Sequence, residues 1–170
     1  MKTSYGSIVA VIFVDRAPLT AGNFLRYVDQ GLYDKAEFYR ALRPDNGTHL
    51  PTLRLIQGGV DPTCLHPPVP PIAHEPTMAT GLSHVDGALS MARWSPGTAA
   101  SEFFIVVGAA PELDSGGRYG EGFAVFGQVL EGMDVVRKIL AGATVQSSGN
   151  EYLQDAALQS PVAVRIRRSQ

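Results

Sequence analysis

Residues 88–107 read ALSMARWSPGTAASEFFIVV, and the fold turns on how this stretch is divided. Two short apolar runs, 88–92 and 103–107, flank WSPGTAAS, a loop of small residues with Pro96-Gly97 at its centre. Runs this short, bounded by breakers and rich in β-favouring residues, fit buried strands better than a helix. Ser101-Glu102 sits where the second run begins, and Phe103-Phe104 follows. That arrangement could put a phenyl ring at the mouth of a barrel or sandwich. An aromatic beside a loop of accessible backbone is a natural cleft wall.

Outward from this stretch, strands are expected over 7–14 (SIVAVIFV, a buried strand), 38–42, 53–57, 123–130 with Gly127 marking a bulge, and 162–167. Two amphipathic helices are expected. One covers 21–30, with Thr20 as its N-cap and Gly31 beyond its end, and the other covers 133–140. Segment 61–76 holds six prolines and reads as a long surface loop. Segment 112–122, with four glycines, reads as a flexible loop and does not match a phosphate-binding loop. There is neither a βαβ rhythm nor an internal repeat. An antiparallel barrel or sandwich with helices over its ends accounts for this order.

The chain of 170 residues suits a single domain, 1–170, and its 45% hydrophobic content is that of a globular protein. A net charge of −2 argues against general nucleic-acid binding. Eleven of the 14 basic residues are Arg, scattered except for Arg165, Arg167 and Arg168, which read as a solvated strand end. One cysteine, Cys64, forbids an internal disulfide. No apolar run approaches the ~18 residues of a membrane span. No signal peptide is visible after Met1, so a cytoplasmic protein is expected, or a periplasmic one if a leader has been removed.

Cys64, His66, His74 and His84 lie close in sequence but lack the paired spacing of structural zinc sites, so surface histidines are the expectation and no metal is assigned. No G-x-S-x-G elbow is present, and Ser95 and Ser101 have no indicative His or Asp partner. Arg40 and Gln57 remain as polar groups on strands that could face one cleft. On the residues alone, the function stays open.

Taken together, Phe38-Tyr39-Arg40, Ile56-Gln57-Gly58-Gly59-Val60-Asp61, Ser90-Met91-Ala92, Ser101-Glu102-Phe103-Phe104-Ile105 and Val125-Phe126-Gly127-Gln128-Val129 resemble the cyclophilin family of peptidyl-prolyl cis–trans isomerases. The entry Ala17-Pro18-Leu19-Thr20-Ala21-Gly22-Asn23-Phe24 and the helix start Glu131-Gly132-Met133 resemble it as well, in the family's order. The resemblance implies a mainly β fold, a closed eight-stranded antiparallel barrel capped by two α-helices. It implies acceleration of rotation about X-Pro bonds without metal or cofactor. Expected partners are proline-containing peptides and unfolded or flexible protein segments, with no nucleic acid and no membrane, and the protein acting as a monomer. A peptide-binding or chaperone module with little catalysis is the alternative.

By the same resemblance, Arg40 takes the position of the catalytic arginine and Gln57 that of the groove glutamine. Leu55, Ala92, Arg93, Glu102, Phe104, Leu113 and Phe123 fall at substrate-contact positions, with Phe104 as the floor of the proline pocket. At Arg93 the backbone is expected to matter more than the side chain. The chain departs from the family's usual pattern at Arg54-Leu55, at Glu102 in place of a glutamine, at Glu112 in place of a tryptophan and at Phe123 in place of a histidine. Tight cyclosporin binding is not expected without the tryptophan. Arg54 and Glu102 are candidates to pair with each other.

Overall fold

The computed structural model describes residues 1–44, 52–60, 67–145 and 156–169. Strands β1 (Lys2–Thr3), β2 (Gly6–Ser7), β3 (Val9–Ile12), β4 (Glu37–Leu42), β5 (Leu55–Gly59), β6 (Ala88–Met91), β7 (Phe103–Val106), β8 (Ala124–Glu131), β9 (Thr144–Val145) and β10 (Ala157–Arg165) form one antiparallel sheet. Its order is β2-β1-β10-β4-β5-β7-β6-β8-β3, with β9 paired to β10 off that path. The two ends of the path are halves of one run. At Ile8, between β2 and β3, the chain exchanges hydrogen bonds with Met1, N–H to carbonyl at 2.9 Å and terminal amine to carbonyl at 2.8 Å. With β2 and β3 joined as one run, the sheet is a nearly closed barrel of nine strands, one more than the eight expected, the extra one being the two-residue β9.

The runs 88–92 and 103–107 do form neighbouring strands, and β6 and β7 pair antiparallel. Every residue of β5, β6 and β7 is buried. The sheet is covered on both faces, which is why these runs carry no polar alternation in sequence. Ile56, Leu89, Met91, Phe103 and Ile105 point to the barrel interior, where Phe24, Tyr27, Tyr33, Phe38 and Phe126 pack with them. Ring centroids there lie 4.9–5.8 Å apart, in tilted and edge-to-face contacts. Leu55, Ala88, Phe104, Val106 and Val125 point the other way, into a second, outer core with Leu42, Leu53, Ala92, Ala110, Leu113 and Ala156.

Helix α1 spans Pro18–Asp29 and starts earlier than a Thr20 cap implies: Pro18 is at its first position and Ala17 is the N-cap. The Thr20 side chain does not cap it. The free N–H groups of Leu19 and Thr20, at 3.1 and 2.6 Å, and the Thr20 hydroxyl, at 2.6 Å, all donate to the carboxylate of Glu75, which arrives from the Pro-rich segment. A one-turn helix α2 (Thr77–Thr80) follows that segment, and α3 (Met133–Leu140) falls where periodicity predicts it. The first long strand is not buried on both faces. Val9 and Val11 on β3, and Val14 just beyond it, are exposed. The bulge expected at Gly127 is present as a register shift opposite Leu89 and Ser90. Arg167 and Arg168 are exposed but paired, with Asp34 and Asp29.

Candidate functional site

Ladder register assembles the site. Arg40 on β4 stands opposite Gln57 on β5, Gln57 opposite Phe104 on β7, Phe104 opposite Ser90 on β6, and Ser90 opposite Val125 on β8. One row across five strands therefore carries a guanidinium, an amide, a phenyl ring and a hydroxyl on the outer face. Leu55, two residues before Gln57 and so on the same face, is buried in the outer core beside them.

The polar end of the row is a hydrogen-bonded chain. Arg40 Nη1 donates to Gln57 Oε1 at 3.0 Å, and Gln57 Nε2 donates to the Tyr39 hydroxyl at 2.9 Å. Tyr39 donates in turn to Glu102 Oε2 at 2.7 Å, and Ser101 Oγ donates to Glu102 Oε1 at 3.2 Å. Tyr39 and Ser101 were not expected here. Simple alternation would send Tyr39 away from the face of Arg40, but a register shift between Phe38 and Arg40 brings both into the chain. Gln57 is 2% exposed and Arg40 only partly buried, so the amide is enclosed while the arginine keeps some exposure. Arg54 does not pair with Glu102. Its Nη1 donates to the Thr52 carbonyl at 3.3 Å, and Glu102 is held by Tyr39 and Ser101.

The apolar end is built from three elements. The Phe104 ring meets Phe123 edge-on at 5.5 Å, and Phe123 meets Tyr119 at 5.4 Å. Leu113 ends the 3₁₀ turn Pro111–Leu113 and is buried against the same cluster. Its carbonyl accepts the Phe123 N–H at 2.9 Å, so the two walls are joined by backbone. Between them Gly122 has φ +70°, and a Cβ there would collide with the Leu113 carbonyl, so only glycine fits. Glu112, next to Leu113, accepts a hydrogen bond from Thr52 Oγ1 at 2.8 Å.

Ala92 and Arg93 leave β6 at the edge of this cluster. The Ala92 N–H is taken by the Glu102 carbonyl at 2.9 Å. The Arg93 side chain is structural after all: Nε donates to the Gly122 carbonyl at 3.0 Å, Nη2 binds the same oxygen, and the guanidinium carbon lies 4.8 Å above the Phe123 ring. Beyond it, Thr98 Oγ1 accepts the N–H groups of Trp94 and Ser95 at 3.1 and 3.2 Å, which pins the loop.

His84 was expected at the surface and is buried. Its Nδ1 lies 2.6 Å from Asp114 Oδ1 and its Nε2 3.0 Å from Ser90 Oγ. His74 is partly exposed and contacts the Glu121 carbonyl at 3.3 Å. Cys64 and His66 lie outside the described residues.

A family model described as cyclophilin type peptidyl-prolyl cis-trans isomerase/CLD matches residues 1–161. Peptidyl-prolyl cis-trans isomerase B of Escherichia coli is 38% identical over 165 residues, covering 93% of this chain and 94% of the relative. A peptidyl-prolyl cis-trans isomerase of Acinetobacter baylyi is 36% identical over 140 residues, 82% of this chain and 69% of the relative. Among solved structures, a Cryptosporidium parvum cyclophilin type peptidyl-prolyl cis-trans isomerase in the presence of the dipeptide Ala-Pro matches with a TM-score of 0.73 at 20% identity, covering 100% of this chain and 98% of that one. None of these favours a non-catalytic peptide-binding module.

Proposed function

The chain belongs to the cyclophilin-type peptidyl-prolyl cis–trans isomerase family, and from that premise we propose that the row Arg40–Gln57–Phe104 is its catalytic groove, acting on X-Pro segments of unfolded or flexible proteins. The activity itself is that of the family, rotation about the bond preceding proline.

The barrier to that rotation is about 18–20 kcal/mol because the amide is conjugated. No bond to carbon breaks and no proton is consumed. What a protein must supply is a surface that fits the twisted amide better than the planar one. In the twisted state the prolyl nitrogen regains a lone pair. A fixed guanidinium donating to it stabilises that state and gains much less from the planar amide. Arg40 is suited to the role because its Nη1 is anchored on Gln57 while the residue keeps some exposure. Gln57, with its carbonyl committed to Arg40 and one N–H to Tyr39, fixes the guanidinium against the groove wall. Phe104, Leu55, Leu113 and Phe123 supply the apolar contact that holds the ring while the rest turns. Ala92, Arg93 and Glu102 lie where the flanking peptide would run. A monomer is the working unit of this reading.

The observation that carries this reading is the shared ladder row, in which the cation sits two strands from the phenyl ring. Exchange of an X-Pro peptide followed by NMR tests it. Arg40→Ala is expected to lower kcat/KM by about 10²–10³-fold with the fold intact, the scale of losing one preorganised donor. A folded Arg40→Ala protein that isomerises the peptide at the wild-type rate would remove Arg40 from the mechanism.

A further inference from the structure

His84 has no part in the chemistry above, yet its side chain is fully enclosed, 0% exposed. Asp114, His84 and Ser90 stand in line, the order of a hydrolytic triad. Access excludes that chemistry. Ser90 is 0% exposed in the middle of β6, with Phe104 and Val125 as its ladder neighbours, and no acyl group can approach its oxygen. What the line does is mechanical.

The hydrogens can be assigned from the partners alone. An ionised carboxylate only accepts, so His84 Nδ1 carries the hydrogen directed at Asp114. Burial keeps the ring neutral by lowering its basicity. Nε2 is then a lone pair, and it accepts the Ser90 hydroxyl. The backbone of His84 adds two more ties to the same segment: its N–H donates to Asp114 Oδ1 at 3.0 Å, and its carbonyl accepts the Ala110 N–H at 2.8 Å. Residues 110–114 thus hang from His84 at three points, and Leu113 is carried between them. The face of the imidazole lies nearly parallel to the Phe104 ring, 12° between planes at 6.0 Å.

We propose that His84 is the positioning residue of the proline pocket: through Asp114 it sets Leu113, and with it Phe123, and through Ser90 and its own ring it sets Phe104. This rests on the reading of Phe104, Leu113 and Phe123 as pocket walls. Those walls grip the proline ring in the planar and the twisted amide alike. Loosening them removes uniform binding, so affinity for the peptide falls while the rate of the bound peptide is kept. A residue that only holds the fold would lower thermal stability and leave affinity alone.

The test is NMR titration of an X-Pro peptide into wild type, His84→Gln, Asp114→Ala and Ser90→Ala, with Kd, exchange rate at saturation and Tm measured on each. Loss of a buried hydrogen bond at the hub is expected to raise Kd about 3- to 10-fold with the saturated exchange rate within about twofold. The ring ¹⁵N shifts of wild-type His84 should report the Nδ1–H tautomer. Folded variants with wild-type Kd, or an Nε2–H tautomer, would overturn the proposal. Should His84→Gln not fold, Ser90→Ala removes only the far bond, and the tautomer is read on wild type. Wild-type protein that binds the peptide without exchanging it would count against the catalytic reading of Arg40, while the Kd series would still decide the role of His84.

Discussion

Tyr39 donates its phenolic hydrogen to Glu102 Oε2 at 2.7 Å, and this one bond orders the polar half of the groove. Having given its hydrogen away, the Tyr39 oxygen can only accept from Gln57, which turns the Gln57 carbonyl toward Arg40. The chain runs from a group that always donates, Arg40, to one that accepts, Glu102. Tyr39→Phe removes the middle, taking an acceptor from buried Gln57 and a donor from half-buried Glu102. It should cost about 1–3 kcal/mol of stability and lower kcat/KM about tenfold through a loosened Arg40. Glu102→Gln keeps an acceptor for Tyr39 and should stay within about threefold of wild type in kcat/KM. Denaturant midpoints and peptide exchange rates check both, and equal losses in the two variants would mean that the charge, not the bond order, matters.

The two glycines that end β5 are expected to fail in different ways. A Cβ on Gly58 would meet the backbone carbonyl of Glu37 on the neighbouring strand, which cannot move without breaking the ladder. Gly58→Ala should destabilise the fold by about 1–3 kcal/mol, as overpacking does. A Cβ on Gly59 would meet first the Glu102 carboxylate, the far end of a flexible side chain. Gly59→Ala should therefore keep most of the stability while displacing Glu102 from Tyr39, so activity falls further than Tm. Similar stability losses in both would show that Glu102 is not free to swing.

Much of this was legible in the sequence because the cues are local. Short apolar runs between breakers marked β6 and β7, helical spacing marked α3, and the ordered motifs brought Arg40, Gln57, Phe104, Leu113 and Phe123 to one face. What escaped depends on register and on distant partners. Tyr39 entered the relay through a bulge that no spacing announces. Glu75 caps a helix 55 residues away, so Thr20 looked like the cap. His84 has an unremarkable neighbourhood in sequence, and only the return of residues 110–114 gives its two nitrogens their partners.

Arg93 ties the groove's rim together. Its guanidinium holds the Gly122 carbonyl and covers the Phe123 ring, and burial lowers its pKa. Arg93→Ala frees the 119–123 segment from β6. With Phe123 as a wall of the proposed proline pocket, KM for an X-Pro peptide should rise about 3- to 10-fold with kcat little changed. Arg93→Lys keeps a charge but lacks the fork that grips one carbonyl at two points, and it should recover only part of the loss. A wild-type KM for Arg93→Ala would show that Phe123 holds its place without the guanidinium.

Acid should destabilise this protein through His84 before its carboxylates titrate. Burial sets the folded pKa of His84 below its ordinary value; the hydrogen bond and charge of Asp114, and then the charge of Glu112, oppose but do not cancel that effect. Ser90 and Phe104, its other neighbours, carry no charge. The folded state therefore binds fewer protons than the unfolded chain. The stabilising contribution is complete above about pH 6.5, the usual imidazole value. It declines as the unfolded chain takes up its proton and is gone once pH has fallen through the folded pKa. Asp29 and Asp134, lowered by their hydrogen bonds to Arg168 and Lys138, titrate below this window. Urea midpoints of wild type should fall between about pH 7 and 5, while those of His84→Gln stay flatter, so that the two curves converge on acidification. Parallel curves would mean that His84 accepts its proton as readily in the folded protein as in the unfolded chain.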